Sequence, residues 1–386
     1  MAYIRKRNDK WSFTVNLAQD QISGKRKQIT RSGFSTKKEA QLAASQLEKD
    51  IANGNLVMES KITFGEFFGE WLVHYEKQAK VSSVRARRIA AKHFLEVWNN
   101  RRLSSITRKM YQDHLDGLSE KYSPNYLDSI HSTGNMIFNY ALSLELIKSN
   151  PTNHFKMPKK KMEVADIESE NIEEGFLEKE ELSHFLKVTA EHGLESDMLI
   201  FTTLAYTGLR IGELVALKWS DIDMNKKSLR VTKTYYNPNN NKSEFKLLTP
   251  KTKGSIRTII IDDLVISLLK KHRIKQKEHI LKTRAIYKDE NFIFAGKEGF
   301  PMVIKLVTTR LQRLLSKSDI TKHITLHGFR HTHTSLLIEA RVGVKEIQQR
   351  LGHTDINTTM NIYAHMTKNM EEKASQQFSK LMKDLL

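Results

Sequence analysis

Four separated stretches in the second half of the chain combine arginine, lysine, histidine and tyrosine, the side chains that can handle a phosphodiester. They are Thr-Gly-Leu-Arg-Ile-Gly-Glu at 207–213, Pro-Lys-Thr-Lys at 250–253, His-Gly-Phe-Arg-His at 327–331, and Leu-Gly-His at 351–353 with Ile-Tyr-Ala-His at 362–365. Arginine suits non-bridging phosphate oxygens, because its planar guanidinium stays charged and presents paired donors. Two arginines can therefore neutralise the charge that accumulates in a pentacoordinate transition state.

The other residue types supply a nucleophile and the proton transfers that such a reaction needs. A tyrosine hydroxyl can attack phosphorus and form a covalent phosphotyrosine, provided that a base or a positive pocket activates it. A histidine can act as that base, and a lysine can protonate the oxygen that leaves. Because cationic side chains can neutralise the negative charge of the phosphate, the pattern requires neither a metal nor another cofactor.

Each stretch taken alone also has an ordinary structural interpretation. The first is compatible with a helix start that carries a structural Arg–Glu pair, and residues 250–259 with a solvated β-turn. His327, His331 and His333 invite a metal interpretation. No His-Glu-x-x-His string or neighbouring carboxylate accompanies them, so hydrogen bonding within the wall of the site is favoured for His331, His333 and His365. Tyr363 alone could be a core aromatic with a satisfied hydroxyl. The ordered set favours the catalytic interpretation.

The order Arg, Lys, His-x-x-Arg, His, Tyr resembles that of the tyrosine recombinases, and most closely the integrases of phages and conjugative transposons of Gram-positive bacteria. The resemblance implies that Arg210 and Arg330 bind the scissile phosphate. It implies that His327 assists proton transfer at the tyrosine and that His353 hydrogen-bonds the phosphate. The nucleophile would be Tyr363.

Two further assignments follow from the same resemblance. Glu213 would lie behind the site and steady it. The family's Lys-Thr pair aligns with Lys251, ahead of a Ser-x-Arg-x-Ile string, so Lys251 is the preferred general acid. Lys253 stays open as an alternative because the length of this segment varies among relatives. Strands at about 244–250 and 256–261 are expected to flank the Lys-Thr-Lys-Gly tip as a basic hairpin.

The composition favours a polyanionic partner. The 386 residues include 63 Lys and Arg against 44 Asp and Glu, which gives a formal net charge of +19. Nucleic acid is the first candidate, although an inert basic surface has the same composition. The absence of cysteine excludes disulfides, thiol nucleophiles and thiolate metal sites. With no signal peptide or membrane span in the sequence, we expect a bacterial cytoplasmic or nucleoid location and no membrane partner.

Composition and periodicity predict a multidomain α+β protein. Residues 1–57 are expected to form a small three-stranded sheet with one helix behind it, which begins at a Thr36–Glu39 capping box. Residues 61–158 are expected to form a helical bundle whose last helix ends at Ser149-Asn150-Pro151. The polar stretch 159–176 reads as a linker. Residues 177–386 are expected to form a mixed, mainly helical catalytic domain with a small antiparallel sheet and a C-terminal tail helix.

The first two domains resemble, more loosely, the family's arm-binding and SAM-like core-binding domains, and we expect both to contact duplex DNA. A basic sheet can lie in a DNA groove, and a basic helix can contact phosphates. The candidates on the sheet are Arg5, Lys25, Lys27 and Arg31. The candidates on the helix are Arg85, Arg87 and Arg88. A solvated charged face is an equally open interpretation of these residues.

The resemblance implies a site-specific recombinase that cuts and rejoins DNA through a 3′-phosphotyrosine, and so integrates and excises a phage or mobile element. It implies a homotetramer on core-type and arm-type attachment sites, with a tail that docks on a neighbouring subunit. The sequence leaves open whether an excisionase or a host DNA-bending protein takes part. A type IB topoisomerase, a non-catalytic DNA-binding regulator and a metal-dependent nuclease or transposase are the alternatives.

Overall fold

The structure is a computed structural model that describes residues 2–7, 9–19, 26–52, 61–158, 175–250, 253–352 and 360. The chain divides into two units, residues 1–162 and 163–386. In the part of the chain that is described, no helix is long and apolar enough to cross a membrane.

The first unit begins with an antiparallel sheet of three strands, β1 (Tyr3–Arg7), β2 (Lys10–Gln19) and β3 (Arg26–Phe34), in the order β1-β2-β3. One face of the sheet packs on helix α1 (Lys37–Ala52) around a small apolar core. The predicted capping box is present: the Thr36 hydroxyl accepts from the Glu39 amide at 3.2 Å, and the Glu39 carboxylate accepts from the Thr36 amide at 3.3 Å. The predicted sheet with one helix behind it is confirmed.

The rest of the first unit is a helical bundle of α2 (Phe64–Glu76), α3 (Val81–Trp98), α4 (Arg108–Ser119) and α5 (Pro124–Ser143). Its core is strongly aromatic, with Phe64, Phe94 and Trp98 almost fully buried. Helix α5 ends earlier than the predicted stop at Ser149-Asn150-Pro151. Glu145 adopts φ +58°, and the Leu146 amide donates back to the Ala141 carbonyl at 3.0 Å, so a left-handed turn closes the helix first.

The helices of the second unit surround a central buried one. They are α6 (Lys179–His192), α7 (Asp197–Thr207), α8 (Ile211–Val215), α9 (Asp263–Lys282), α10 (Ile304–Leu315), α11 (Gly328–Glu339) and α12 (Val344–Leu351). Helix α7 is buried on nearly all sides, as expected of a helix that is apolar all round. It packs against α6, α8, α9 and α11, and its C-terminal end leads into the Thr-Gly-Leu-Arg turn.

The strands of the second unit form two separate sheets. They are β4 (Ile222–Asp223), β5 (Ser228–Val231), β6 (Thr234–Tyr236), β7 (Lys246–Leu248) and β8 (Arg257–Ile260). One sheet has the order β4-β5-β8, and β6 pairs only with β7. The β-branched and aromatic residues of 228–235 predict one continuous strand, but the structure has two strands, β5 and β6, interrupted where Lys233 Nζ binds the Asp221 carboxylate.

The predicted hairpin around Lys-Thr-Lys-Gly was also wrong. The two flanking strands do not pair with each other, because β7 pairs with β6 and β8 pairs with β5. In the β5–β8 ladder, Leu229 lies opposite Ile259 and Val231 opposite Arg257, and all four are buried. Burial of side chains on this face favours pairing of β8 with β5 over pairing of β8 with its neighbour in sequence, β7. The mixed, mainly helical fold with small antiparallel sheets is as predicted.

Candidate active site

Arg210 lies at the junction between α7 and α8, in a turn that requires a glycine. Gly208 has φ +63°, a left-handed conformation that other residues adopt at a cost. A Cβ at this position would lie 2.6 Å from Leu351 Cδ2 and 2.7 Å from His333 Cδ2. The close approach of α11 and α12 therefore explains the glycine of the Thr-Gly-Leu-Arg string. The turn places Arg210 at the start of α8, with its side chain 41% exposed.

Glu213 is a buried carboxylate clamped between two arginines. It accepts from Arg210 Nη1 at 3.0 Å and from the Arg210 amide at 3.0 Å. Arg257, on β8, donates through Nη2 at 2.9 Å and through Nη1 at 3.3 Å. Burial raises the pKa of Glu213, but the hydrogen bonds and charges of Arg257 and Arg210 outweigh it, so the pKa lies below its ordinary value. The carboxylate is therefore ionised and committed to the two guanidiniums.

Arg330 lies in the first turn of α11 and is 1% exposed. Its Nη1 donates to the Gly208 carbonyl at 2.8 Å, and its Nη2 donates to the Leu351 carbonyl at 2.7 Å. Burial and the charge of Arg210 lower the pKa of Arg330 to about 9, which leaves it protonated at neutral pH. The two guanidiniums repel each other, and a bound anion would relieve that repulsion.

His327 immediately precedes α11 and meets the ring of His331 edge-on at 4.8 Å between centroids. Burial of its inner part, followed by the charges of His331, Arg330 and Arg210, lowers the pKa of His327 to about 4. The side chain keeps an exposed surface, so the ring is open to solvent and to a bound substrate. The imidazole is neutral at neutral pH and can accept a proton.

His333 is held by hydrogen bonds in the wall behind the arginines. Arg350 can only donate, so its Nε, 3.0 Å away, requires His333 Nε2 to be the acceptor. Nδ1 then carries the hydrogen and donates to the Ala205 carbonyl at 2.7 Å. Both ring nitrogens are used, and the hydrogen-bonding interpretation of His333 is confirmed. Among the described residues, no group of three or more His, Asp or Glu is placed to hold a metal.

The remaining predicted catalytic residues lie wholly or partly outside the described residues. Lys251, His353 and Tyr363 are outside them, and their roles stay predictions. For Lys253 only the backbone is described, in a 3-10 turn at Lys253–Ser255. Helix α12 ends at Leu351, two positions before His353. The structure thus brings together one carboxylate, two arginines and one histidine of the predicted set.

The candidate DNA-binding residues of the sheet differ in the face that they occupy. In the β-ladders Arg5 is opposite Ser12, whereas Arg31 is opposite Phe13. Because Phe13 is buried against α1, its partner Arg31 belongs to the helix side of the sheet and Arg5 to the open side. Both arginines are exposed. Lys25 lies outside the described residues, and for Lys27 only the backbone, in β3, is described.

The three candidate arginines of the bundle, all on α3, also differ. Arg87 is half-buried, and its Nη1 donates to the Ser129 carbonyl at 3.3 Å and to the Thr133 hydroxyl at 3.1 Å. Arg88 forms an exposed ion pair with Glu76 at 2.8 Å. Arg85 is exposed. Arg87 therefore joins α3 to α5, which the sequence interpretation did not anticipate.

Two residues of the site region, Arg257 and Arg350, were not among the predicted site residues. Arg257 is 8% exposed and lies on the same face of β8 as the buried Ile259, so an arginine on the apolar face of a strand was the available signal. Arg350 carries no such signal, because an arginine in the last turn of a helix is ordinary. Its partners come from three other elements and are visible only in the fold.

Comparison with known proteins extends these observations. The profile of the phage integrase family matches residues 175–370, and that of an arm DNA-binding domain matches residues 3–51. The integrase of Staphylococcus phage L54a is 30% identical over 346 residues, which cover 86% of this chain and 98% of that integrase.

Solved structures of two integrases share the fold. The Tn1549 transposon integrase in complex with transposon right end DNA has a TM-score of 0.63 at 19% identity, over 82% of this chain and 100% of that one. A lambda integrase tetramer bound to a Holliday junction has a TM-score of 0.58 at 18% identity, over 94% of each chain.

The fold and the paired arginines thus define a DNA strand-transfer enzyme of the tyrosine recombinase class, a name that several relatives carry. The chain belongs to the phage integrase family. It is a site-specific DNA recombinase of phage and mobile-element type, and DNA is its partner. The predicted family, fold class and activity are confirmed.

Proposed function

We propose that Tyr363 is the nucleophile of this integrase and that Arg210 and Arg330 hold the scissile phosphate between them. The observation that carries the proposal is the concentration of positive charge in the described site, where Arg210, Arg257 and Arg330 lie around one buried carboxylate. Burial and Arg210 lower the pKa of Arg330, and the buried carboxylate of Glu213 is already shared with Arg257. A phosphodiester brings negative charge to this cluster, and that charge grows in the transition state, where the arginines stabilise it most.

In the first step the Tyr363 oxygen attacks phosphorus, and the bond from phosphorus to the 5′-oxygen breaks. The lowered pKa keeps the imidazole of His327 neutral, and this neutral ring takes the tyrosine proton. Lys251, with Lys253 as the alternative, protonates the leaving 5′-oxygen, and His353 hydrogen-bonds the phosphate. The products are a 3′-phosphotyrosine and a free 5′-hydroxyl.

In the second step the 5′-hydroxyl of the partner strand attacks the phosphotyrosine, and the tyrosine is released with its proton. One phosphoester is exchanged for another, so the reaction needs no nucleotide cofactor. Two rounds of exchange between two DNA sites pass through a four-way junction and join the element to its target. The same chemistry in the reverse order excises the element.

We further propose that the sheet of the first unit reads arm-type sites through the face opposite α1. That face presents the exposed Arg5 and Ser32, whereas Ser12 between them is buried and its hydroxyl donates to the Arg5 carbonyl at 3.2 Å. A strand surface of this kind can enter the major groove and reach base edges. The exposed Arg85 of α3 would contact phosphates of the core-type site, whereas Arg87 has a structural role.

The active assembly is proposed to be a homotetramer on DNA in the bacterial cytoplasm, as the lambda integrase tetramer on a Holliday junction suggests by its shared fold. The second unit has an open cleft of about 670 Å3, bordered by both apolar and polar side chains. Its apolar lining is Ile211, Ile304, Leu311, Leu315, Ile320, Ile324 and Leu326. The apolar residues after Tyr363 recur at helical spacing and would fill such a cleft on a neighbouring subunit. Deletion of residues 371–386 would then impair assembly.

Excisionase and host bending proteins are optional partners that affinity capture on attachment-site DNA would identify.

The test of the catalytic proposal uses a nicked duplex that carries the junction sequence from the end of the encoding element. Wild-type, Tyr363→Phe and Arg210→Ala proteins are incubated with it in EDTA, and SDS-resistant adducts are scored. We expect an adduct with wild type alone, while all three bind the duplex. An adduct with Tyr363→Phe would refute the assignment. DNA bound by wild type without any adduct would favour a regulator, and relaxation of supercoils without a second site would favour a topoisomerase.

A further inference from the structure

We propose that Arg350 is a positioning residue for DNA cleavage, which acts by fixing the end of α12 from which the chain continues to His353 and Tyr363. This inference rests on the proposed role of Tyr363. Arg350 lies outside the motifs that define the site, and its side chain forms hydrogen bonds with three other elements of the second unit.

The guanidinium of Arg350 connects α12 to three other elements. Its Nε donates to His333 Nε2 on α11 at 3.0 Å. Its Nη1 donates to the Ile260 carbonyl at the end of β8 at 3.2 Å, and its Nη2 donates to the Tyr206 carbonyl on α7 at 3.1 Å. All three nitrogens of the fork are therefore engaged, each by a different element. An ammonium group is compact and lacks a planar fork, so a lysine cannot reproduce this set.

The backbone at the same helix end is held by two other arginines. Arg257 Nε donates to the Arg350 carbonyl at 2.8 Å, and Arg330 Nη2 donates to the Leu351 carbonyl at 2.7 Å. The last carbonyls of a helix have no partner within it and carry partial negative charge, so guanidiniums suit this position. Arg330, a proposed phosphate ligand, and the end of α12 thus share one hydrogen-bonded structure.

The helix closes at Gly352, which has φ +67°. A Cβ there would lie 3.2 Å from Arg257 Cδ and 3.3 Å from the Gly254 carbonyl, so the chain passes tightly against the start of β8. His353 is the next residue, and consecutive Cα atoms are about 3.8 Å apart. A displacement of the end of α12 therefore moves the point from which the chain continues to His353.

Such a displacement acts on the rate of chemistry more than on DNA affinity. A misplacement of about 1 Å in reacting groups can cost on the order of 100-fold in rate. Affinity for duplex DNA comes mainly from phosphate contacts spread over a large surface. The described contacts of Arg350 are instead with other groups of the protein. Loss of Arg350 should therefore separate cleavage from binding.

The experiment compares full-length wild type with Arg350→Leu and Arg350→Lys on the nicked duplex, under single-turnover conditions with protein in excess. The matched control is Arg313→Leu. Arg313 also lies on a helix of the second unit and holds a carbonyl and a neighbouring element, through His192 O at 2.9 Å and Asp197 Oδ2 at 3.2 Å. Its contacts involve no residue of the site, so it measures the cost of losing a structural arginine.

We expect Arg350→Leu to form the adduct on the order of 10- to 100-fold more slowly than wild type, and Arg350→Lys to be intermediate. Both should bind the duplex within about twofold of wild type. Arg313→Leu should lose comparable thermal stability and keep the wild-type rate. If Arg350→Leu does not fold, Arg350→Lys decides the question alone. An undiminished rate, or an equal defect in Arg313→Leu, would overturn the proposal.

A second substrate identifies the step that Arg350 supports, because its contact with Ile260 also leads towards the lysine segment. In this duplex sulfur replaces the leaving 5′-oxygen, so departure needs no proton from a general acid. A rate defect that persists on the sulfur substrate supports positioning of the nucleophile side. Recovery of the wild-type rate would overturn it and assign Arg350 to the leaving-group side. If wild type formed no adduct at all, the proposed nucleophile itself would fall, whereas an undiminished Arg350→Leu would remove only this inference.

Discussion

Glu213→Gln offers the sharpest test of the described site, because one oxygen is replaced by a group of nearly the same shape. In the native protein both carboxylate oxygens accept from guanidiniums, and the side chains of Glu213 and Arg257 are only 4% and 5% exposed. The variant amide can still accept a hydrogen bond at its oxygen. Its NH2 group, however, is itself a donor and faces the N–H donors of the arginines. Arg257 is then left buried without its counter-ion.

The expected loss of stability follows from the partners that remain. Removal of one member of a buried ion pair costs roughly 3–5 kcal/mol. Arg257 keeps its bonds to the Arg350 carbonyl and the Ser255 carbonyl, so the lower end, about 3 kcal/mol, applies. Because the pKa of Glu213 is lowered, the stability that it supplies is present above pH 4.5 and is lost as pH falls through its folded pKa. The difference between wild type and variant should therefore be constant near neutral pH and shrink in acid.

Hydrogen exchange measured by mass spectrometry reads this effect in the full-length chain. Amides of α8 and β8 should exchange on the order of 100-fold faster in Glu213→Gln, the equivalent of about 3 kcal/mol. Glu298→Gln is the matched control, because Glu298 pairs with Lys242 at 2.6 Å on the surface, where both side chains are about half exposed. That pair should contribute less than about 1 kcal/mol.

Two results would refute this reasoning. A change of less than about fivefold in α8 and β8 exchange would mean that the buried carboxylate does not stabilise Arg257 as argued. A difference between wild type and Glu213→Gln that stays constant down to pH 3 would mean that the effect is steric rather than ionic.

Three further predictions concern the pH response and the DNA surfaces. Burial and the charge of Arg350 lower the pKa of His333 to about 4. Thermal melts should therefore show wild type losing up to about 3 kcal/mol of stability between pH 6.5 and 4, and His333→Gln losing less. An equal dependence of stability on pH in the two proteins would contradict this. Arg85→Ala should weaken DNA binding and reduce the salt slope by about 1, whereas Arg87→Met should lower stability and keep the slope; the reverse pattern in salt titrations would exchange their roles. Arg5→Ala should weaken binding to arm-site DNA, measured by fluorescence anisotropy, more than Arg31→Ala does, and equal losses would argue against recognition through the open face.

The residues of the site were predictable where type and spacing are both unusual. His327 and Arg330 are three positions apart at the start of a helix, and a glycine precedes Arg210 where the turn has positive φ. Local rules also placed the α1 start, because the Thr36–Glu39 capping box needs only neighbouring residues. Such features are written within a few residues of sequence, so no knowledge of the fold is needed.

Features that depend on distant partners were not predictable in the same way. The pairing of β5 with β8 was missed because its free energy comes from burial against the core rather than from the turn between neighbours. The different faces of Arg5 and Arg31 depend on a ladder with a shift between Trp11 and Ser12. The roles of Arg350 and Arg87 likewise depend on carbonyl groups of other elements, which no local pattern announces.

The separation of β7 and β8 into different sheets has an evolutionary consequence. The strands of a tight hairpin share one ladder, so an inserted residue shifts the register or forces a bulge. Here β8 is paired with β5 and β7 with β6, so residues can be gained or lost between β7 and β8 while both ladders stay in place. Descendants of this enzyme can therefore vary the length of the segment that carries Lys251 and explore new approaches to DNA without refolding the strand that holds Arg257.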